Sequence, residues 1–259
     1  MPPTRLGGYV TRALTTLTAL CLAGLAHAET AEEIVEKARD ARSVENSAQT
    51  LEMVIVGKNG SERVRELEIK VKVDGDIRKS LARFTAPSDV SGTALLLIDH
   101  PDTVDEQLLY LPAVKRTNRI SGNSRKGSFM GSDFSYEDME FSDPPDATYT
   151  VTSDTSDTWV IETNPGADSS YGKLITTVRK ADYVPTTIQF FDKDNELLKE
   201  LTVTDTTQES GLTLVTASTM KNVQKNTSTR LTVKSHKLNL PEAELPDALF
   251  TKTSLEAGN

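Results

Sequence analysis

The chain of 259 residues has a single cysteine, Cys21, near its start. Residues 29–259 contain none, which excludes disulfide bonds and thiol chemistry from that part of the chain. The two histidines in the same part, His100 and His236, lie outside any recognisable catalytic motif, and no HExxH, CxxC or P-loop signature occurs. Because a nucleophile needs a base beside it, the sequence predicts a protein that is not an enzyme and that carries no cofactor.

Basic residues are also in deficit, since the chain has 29 Lys and Arg against 38 Asp and Glu and a net charge of −9. Without the first 28 residues, which carry two arginines and no acid, the net charge becomes −11. This balance excludes a nucleic-acid-binding protein, which needs a net basic face. It is typical of a soluble protein that does not adhere to anionic membrane surfaces. Beyond residue 28, no apolar run approaches the ~18 residues of a membrane-spanning helix.

The first 28 residues have the pattern of a secretory signal peptide. Arg5 and Arg12 precede a charge-free apolar run, and a small-x-small pattern follows at residues 26–28. We therefore predict cleavage before Glu29. Lipidation at Cys21 is the alternative, although the residue before it is a leucine and such a site requires a small side chain there.

One helix followed by many strands is predicted for the rest of the chain. Thr30 and Glu33 form a capping box that begins a helix over residues 30–43. The apolar positions then alternate, as in residues 63–73, where Leu, Ile and Val face one side and charged residues the other. Turn residues separate about ten such strands, which predicts a mainly β fold with some α: a strongly curved antiparallel sheet or an incomplete barrel. Neither a domain boundary nor a repeat interrupts residues 29–259, so a single domain is expected.

Residues 110–141 have the least usual composition in the chain. A basic run that includes Lys115, Arg116 and Arg119 follows an apolar strand. It is either a solvated outer face or a docking site for an acidic partner or a lipid headgroup. Residues 129–139 then place large apolar side chains beside acids and glycine. Because such apolar groups need a cover, we predict that this stretch is the working region.

The acids of this region could hold a hard cation, but they lack the ligand spacing of a known loop. They are Asp133, Glu137, Asp138, Glu140 and Asp143. A solvated or partner-facing loop is the preferred interpretation of the cluster. Residues 192–196 begin like a calcium loop, but Leu and Val stand at its sixth and twelfth positions, where Gly and Glu are required. A hairpin turn is predicted there, and no metal site is predicted in the chain.

Three sequence blocks stand out. They are Arg83-Phe-x-x-Pro87 with Val90-x-Gly-Thr-Ala-Leu95, then Tyr110-Leu-Pro-Ala-x-Lys-Arg116 with Arg119-Ile-Ser, then Phe129-Met-Gly-Ser-Asp-Phe-Ser-Tyr-Glu-Asp138. Together with the signal peptide they resemble the outer-membrane lipoprotein-sorting family related to LolA, over most of the chain after the signal. The third block is specific, and LolA itself lacks it.

The resemblance implies an unclosed antiparallel β-barrel, covered by the N-terminal helix and a short helical or loop lid around an apolar cavity. The residues that would line this cavity are Met53, Ile55, Leu67, Ile69, Val71, Leu95, Leu97, Leu109, Leu111, Trp159, Ile161 and Phe190. Residues predicted either to dock a partner or to gate the cavity are Lys115, Arg116, Arg119, Phe129, Met130, Phe134 and Tyr136.

The function implied by the resemblance is that of a monomeric periplasmic carrier. It would bind acyl chains of lipoproteins or lipids and move them from the inner to the outer membrane. The implied partners are an inner-membrane exporter of the ABC or RND type and an outer-membrane receptor. Relatives of this branch often accompany RND exporters, so an accessory subunit of a lipid exporter is one alternative. An RseB-like envelope sensor or adaptor is another, and an enzyme that uses His100 or His236 is the least favoured.

Overall fold

The computed structural model describes residues 29–41, 44–100, 105–141 and 146–258, so the predicted signal peptide lies outside the described residues. The helices are α1 (Ala31–Asp40) and α2 (Lys252–Ala257). Within these ranges the strands are β1 (Ser47–Val56), β2 (Glu62–Asp74), β3 (Ile77–Ala86), β4 (Ala94–Asp99), β5 (Glu106–Leu111), β6 (Arg116–Arg119), β7 (Thr148–Asp154), β8 (Thr158–Asn164), β9 (Lys173–Arg179), β10 (Pro185–Phe191), β11 (Leu197–Glu209), β12 (Leu212–Asn222) and β13 (Thr227–Lys237).

All of these strands form one antiparallel sheet in the order β6-β5-β4-β3-β2-β1-β13-β12-β11-β10-β9-β8-β7. The first and last strands, β1 and β13, pair in its middle, and β6 and β7 are its two edges. A sheet of this width curls rather than staying flat. The prediction of a mainly β, unclosed antiparallel barrel is confirmed.

The predicted capping box begins α1. The hydroxyl of Thr30 accepts the backbone N–H of Glu33 at 3.2 Å, and the Glu33 carboxylate accepts the N–H of Thr30 at 2.9 Å. The helix ends at Asp40, earlier than the predicted residue 43. Strand β6, which carries Arg116 and Arg119, pairs with β5.

The two faces of the sheet have different covers. On the face that we call the inner face, cross-strand neighbours such as Leu51 and Leu67, or Leu67 and Phe84, continue a single apolar surface. Two elements lie over this face: α1, and residues 120–141, which we call the cover segment. On the outer face, a second apolar cluster on β3, β4 and β5 packs against the C-terminal residues Leu245 and Phe250.

The C-terminal segment is also fixed by charge. Asp247 accepts from the ammonium groups of Lys72 at 2.9 Å and Lys79 at 2.8 Å. Asp247 begins the 3-10 turn Asp247–Phe250, and α2 follows it. No helix in the described ranges is long and apolar enough to cross a membrane.

Candidate functional site

A cavity of about 130 Å³ lies on the inner face between α1 and the cover segment. Val35 and Ala38 of α1 border one side, and Phe134 of the cover segment borders the other. The apolar residues of the sheet that line it are Leu174, Val178, Pro185, Ile188, Phe190, Leu201 and Met220. The polar lining residues are Arg39, Arg125, Glu137, Asp138, Glu140, Thr163, Ser169, Tyr171 and Thr176. Its volume is close to the about 150 Å³ of engineered apolar cavities that take up benzene. The cavity can therefore hold a small apolar group without any rearrangement.

Aromatic packing holds the cover segment on the inner face. Phe129, Phe134 and Tyr136 are 2%, 6% and 8% exposed. The Phe129 ring lies 5.6 Å from the ring of Phe84 on β3 and makes an edge contact with Tyr136 at 5.8 Å. These rings fill the space above β1–β5, so the block that carried the family resemblance is part of the core.

A tight turn aims these aromatic side chains inward. Met130 and Gly131 both have positive φ angles, 50° and 75°, a conformation that glycine adopts without strain. The N–H of Phe129 donates to the carbonyl of Phe134 at 2.7 Å across the turn. The guanidinium of Arg65 on β2 donates to the carbonyl of Met130, so the sheet itself satisfies the turn backbone.

A buried ion pair joins the cover segment to the sheet near the cavity. Asp138 pairs with Lys199 of β11, and both side chains are only 4% exposed. The hydroxyl of Tyr171 donates to the same carboxylate at 2.7 Å, and the Lys199 ammonium lies 5.1 Å from the centre of the Phe190 ring. Burial, and then the negative charge of Asp138, raise the pKa of Tyr171. Tyr171 therefore stays a neutral donor that stabilises the Asp138 carboxylate.

Other acids of the cover segment also have partners on the sheet or its loops. The Asp133 carboxylate accepts from the hydroxyl of Thr229 on β13 at 2.8 Å. Glu137 accepts from the backbone N–H of Ser170 at 3.0 Å. The prediction of a solvated or partner-facing acidic loop is wrong for these residues, because acids that lie against a sheet must have hydrogen-bond partners. Asp143 lies outside the described residues.

Glu140 has an environment of its own. It forms an ion pair with Arg125 and accepts from the amide of Gln107 on β5 at 2.9 Å. Burial raises the pKa of Glu140, and the bond to Arg125 opposes that rise. The same bond raises the pKa of Arg125. We favour the charged pair, because the carboxylate has two donors in direct contact.

The described residues contain no group of three or more His, Cys, Asp or Glu side chains placed to hold a metal ion. At the predicted hairpin turn, the Asp192 carboxylate accepts the backbone N–H groups of Asp194 and Glu196, each at 3.0 Å. The turn prediction is confirmed, since the acid that resembled a calcium ligand closes the turn.

Most of the predicted cavity residues lie together on the inner face. The buried ones are Met53, Ile55, Leu67, Leu95, Leu97, Leu109 and Phe190, with Ile69 and Leu111 partly buried beside them. Phe190 borders the cavity, whereas the others pack beneath or beside the cover segment. Val71 is half-buried further along the same face of β2.

Trp159 and Ile161 are placed differently from the rest of the predicted set. They are on the inner face, but they pack against Ile34 and Ala38 in the apolar stripe of α1. The strand pattern predicted their face correctly, and the helix that covers them keeps them out of the cavity.

The residues predicted for docking or gating fall into two groups. Lys115, Arg116 and Arg119 are exposed at the β5–β6 turn and on the edge strand. The aromatic residues described above are buried, and Met130 is partly buried against them. The structure does not bring the two groups together at one surface.

Several residues of the cavity region were missed by sequence reasoning. Lys199 carried a usable signal, because it has the same strand parity as Leu201 and is therefore a charge at an inward position. Tyr171 lies in a loop before β9 and carried none. Val35 and Ala38 belong to the helix that the resemblance predicts as a cover, but neither was named as a lining residue.

A family model that bears the description of an uncharacterised protein matches residues 76–257. An outer-membrane lipoprotein-sorting protein domain from Vibrio parahaemolyticus is 32% identical, with a TM-score of 0.78, and the match covers 88% of this chain and 100% of that domain. The chain therefore belongs to the outer-membrane lipoprotein-sorting, LolA-like family.

Two further structures agree with this assignment. A DUF1329 family protein from Desulfovibrio piger is 25% identical with a TM-score of 0.75, covering 86% of this chain and 97% of its own. A LolA superfamily protein from Nitrosomonas europaea shares the fold at 20% identity and a TM-score of 0.69, covering 88% of this chain and 100% of its own. No curated protein matches the chain.

Proposed function

We propose that the protein is a periplasmic carrier that binds an acyl chain of a lipoprotein or a lipid and moves it from the inner to the outer membrane. It would receive this cargo from an inner-membrane exporter and deliver it to an outer-membrane acceptor. The observation that carries the proposal is the apolar cavity on the inner face of an open sheet. Membership of the lipoprotein-sorting family supports it.

The physical basis is the transfer of methylene groups from water to an apolar wall. Each buried CH₂ group contributes about 0.8 kcal/mol. The apolar part of the lining consists of aliphatic side chains with Phe134 and Phe190, which form no directional bonds with an alkyl chain. Binding then depends on the length of the chain that fits, which suits a carrier that accepts a class of cargo and must release it.

The cavity is too small for a long acyl chain. A cavity of about 130 Å³ is smaller than the roughly 300–1,000 Å³ of ligand pockets. A long acyl chain needs more of the inner face, which one of the two covering elements must expose. We infer that α1 moves away from the sheet before the cover segment does, because the cover segment is bonded to the sheet by buried polar groups.

Filling the cavity with a side chain tests the proposal. Thr176 of β9 lines the cavity, so Thr176→Trp should occupy the space of an alkyl chain. Its neighbour Thr177 points to the outer face, and Thr177→Trp is a matched control. We expect Thr176→Trp to weaken binding of cis-parinaric acid at least about tenfold, the effect of excluding two CH₂ groups. Thr177→Trp should bind like the wild type.

Native mass spectrometry of the purified wild-type protein should detect a bound lipid. The same measurement after organic extraction should show the protein without it. A wild-type protein that binds no acyl ligand after extraction contradicts the proposal. Equal loss of binding in the two tryptophan variants, with both folded by circular dichroism, would place the site elsewhere.

A further inference from the structure

A basic projection at one edge of the sheet has no role in the cavity. Residues 107–132 contain five basic residues and no acid, in a chain whose acids outnumber its bases. Four of the five are exposed: Lys115, Arg116, Arg119 and Lys126. Together with Val114 we call these four residues the basic edge.

The cations of the basic edge are available to a partner. Lys115, Arg116 and Lys126 make no ion pair with any residue of the described ranges, and the guanidinium of Arg119 comes no nearer than 4.0 Å to Glu106. The Arg119 side chain is 56% exposed. The fifth cation, Arg125, differs because it is paired with Glu140 below the surface. The structure thus uses one cation of the run internally and leaves four in solvent.

An apolar side chain projects among these cations. Val114 ends the 3-10 turn Pro112–Val114 between β5 and β6, and it is 64% exposed. Val114 is the most exposed large apolar side chain of the described residues. The backbone reverses at the next residue, Lys115, which has a φ of 49°. An aliphatic tip at the end of a turn, with cations directly after it, is therefore the outermost part of this edge.

We propose that the basic edge docks the protein on the surface of an anionic phospholipid bilayer. Lys and Arg side chains next to such a surface bind its phosphate groups, and an adjacent apolar side chain enters the headgroup region. A protein partner would need a concave pocket for a projecting tip and an interface of roughly 1,000 Å². A bilayer accepts a projection directly, and β6, with four residues, is short for pairing with a partner strand.

The negative charge of the whole chain does not oppose this docking. At physiological ionic strength, charges are screened over about 8 Å, so acids elsewhere on the surface have little effect at the tip. The expectation from composition, that the protein avoids anionic membranes, therefore does not extend to this edge. Docking also needs no bound cargo, so the inference goes beyond the carrier function and can fail separately from it.

Vesicle flotation tests the proposal. The wild-type protein, without its signal peptide, should float with vesicles of 30% phosphatidylglycerol in phosphatidylethanolamine at low salt, and not with pure phosphatidylcholine. The double variant Lys115→Gln/Arg116→Gln should bind about 25-fold more weakly, at about fivefold for each charge removed. Val114→Ser should weaken binding and leave the salt dependence unchanged, because it removes apolar contact only.

Matched variants control for general surface effects. Lys58→Gln/Lys221→Gln removes two exposed cations elsewhere, and Val223→Ser removes another exposed valine; both should bind like the wild type. The proposal is overturned if the wild type does not float with anionic vesicles, or if the control variants lose as much binding as the variants of the basic edge. Binding of cis-parinaric acid should be normal in every variant, which separates this result from a failure of the cavity.

Discussion

The two elements that cover the inner face are attached in opposite ways. The cover segment has a buried ion pair, Asp138 with Lys199, and aromatic side chains packed on the inner face of the sheet. Helix α1 has an apolar stripe centred on Ile34, and its ion pairs, Lys37 with Glu29 and Asp40 with Arg78, each have a partner that is at least 48% exposed. An exposed ion pair contributes about 0–1 kcal/mol, whereas breaking a buried pair costs about 3–5 kcal/mol.

This difference indicates which cover can move. Separating α1 from the sheet breaks its apolar stripe and the pair of Asp40 with Arg78, in which Asp40 is 65% exposed, and leaves the buried pair of Asp138 with Lys199 intact. Displacing the cover segment would leave the buried ammonium of Lys199 without its partners, and it would break several side-chain hydrogen bonds at once. The cavity lies between the two elements, so one of its walls is fixed and the other is adjustable.

The largest effect is expected from Lys199→Met. The variant leaves the Asp138 carboxylate buried without its cation, which should lower the free energy of unfolding by about 3–5 kcal/mol. Urea denaturation at pH 7 measures this change. Lys252→Met breaks the exposed pair with Glu256 and serves as the control, with an expected change below about 0.5 kcal/mol. Similar losses in the two variants would contradict the picture of a fixed cover segment.

A smaller and more local effect is expected from Ile34→Ala. The Ile34 side chain is fully buried against Trp159 and Ile161, and truncating it should cost about 2–4 kcal/mol of local stability. Hydrogen exchange should quicken in α1 and stay unchanged in residues 129–139. If the cover segment loses protection to the same extent, the two elements move as one unit and the comparison fails.

The smallest effect is a response of α1 to acid. The bonds from Lys37 and Tyr183 lower the pKa of Glu29 below its ordinary value of 4.5. A carboxyl with a lowered folded-state pKa contributes stability above its unfolded pKa, and this contribution is lost as the pH falls through the folded-state value. The protection factors of α1 amides, which are corrected for the intrinsic exchange rate at each pH, should therefore fall below about pH 4.5. Glu29→Gln should remove this pH dependence; a variant that keeps it would exclude Glu29 as the cause.

The sequence predicted the local features of the fold and missed those that depend on distant residues. The capping box of α1 and the alternation in β2 act within a few residues, so both were visible before the structure. The partnership of Asp138 and Lys199 joins residues 61 positions apart. Nothing local distinguishes such an acid from a solvated one, and the acidic cluster was therefore interpreted as an exposed loop.

In the candidate site too, local features were predicted from the sequence and features that depend on distant residues were not. Residues assigned to the cavity, such as Met53 and Leu95, lie on the inner face, and along β1 the alternation of apolar residues reports that face directly. It could not show which part of that face stays open, since this depends on where α1 and the cover segment lie. Trp159 was assigned to the cavity for this reason, although α1 covers it.

The order of the sheet gives the cover segment a further property. Every other connection joins strands that are neighbours, whereas residues 120–147 run from one edge, β6, to the opposite edge, β7. Cutting the chain there would yield two pieces, β1–β6 and β7–β13, and among the described residues the only strand pairing that they share is between β1 and β13. The sheet therefore consists of two meanders that are joined by the pairing of β1 with β13. The protein's most distinctive block of sequence is the bridge that makes the two meanders one molecule.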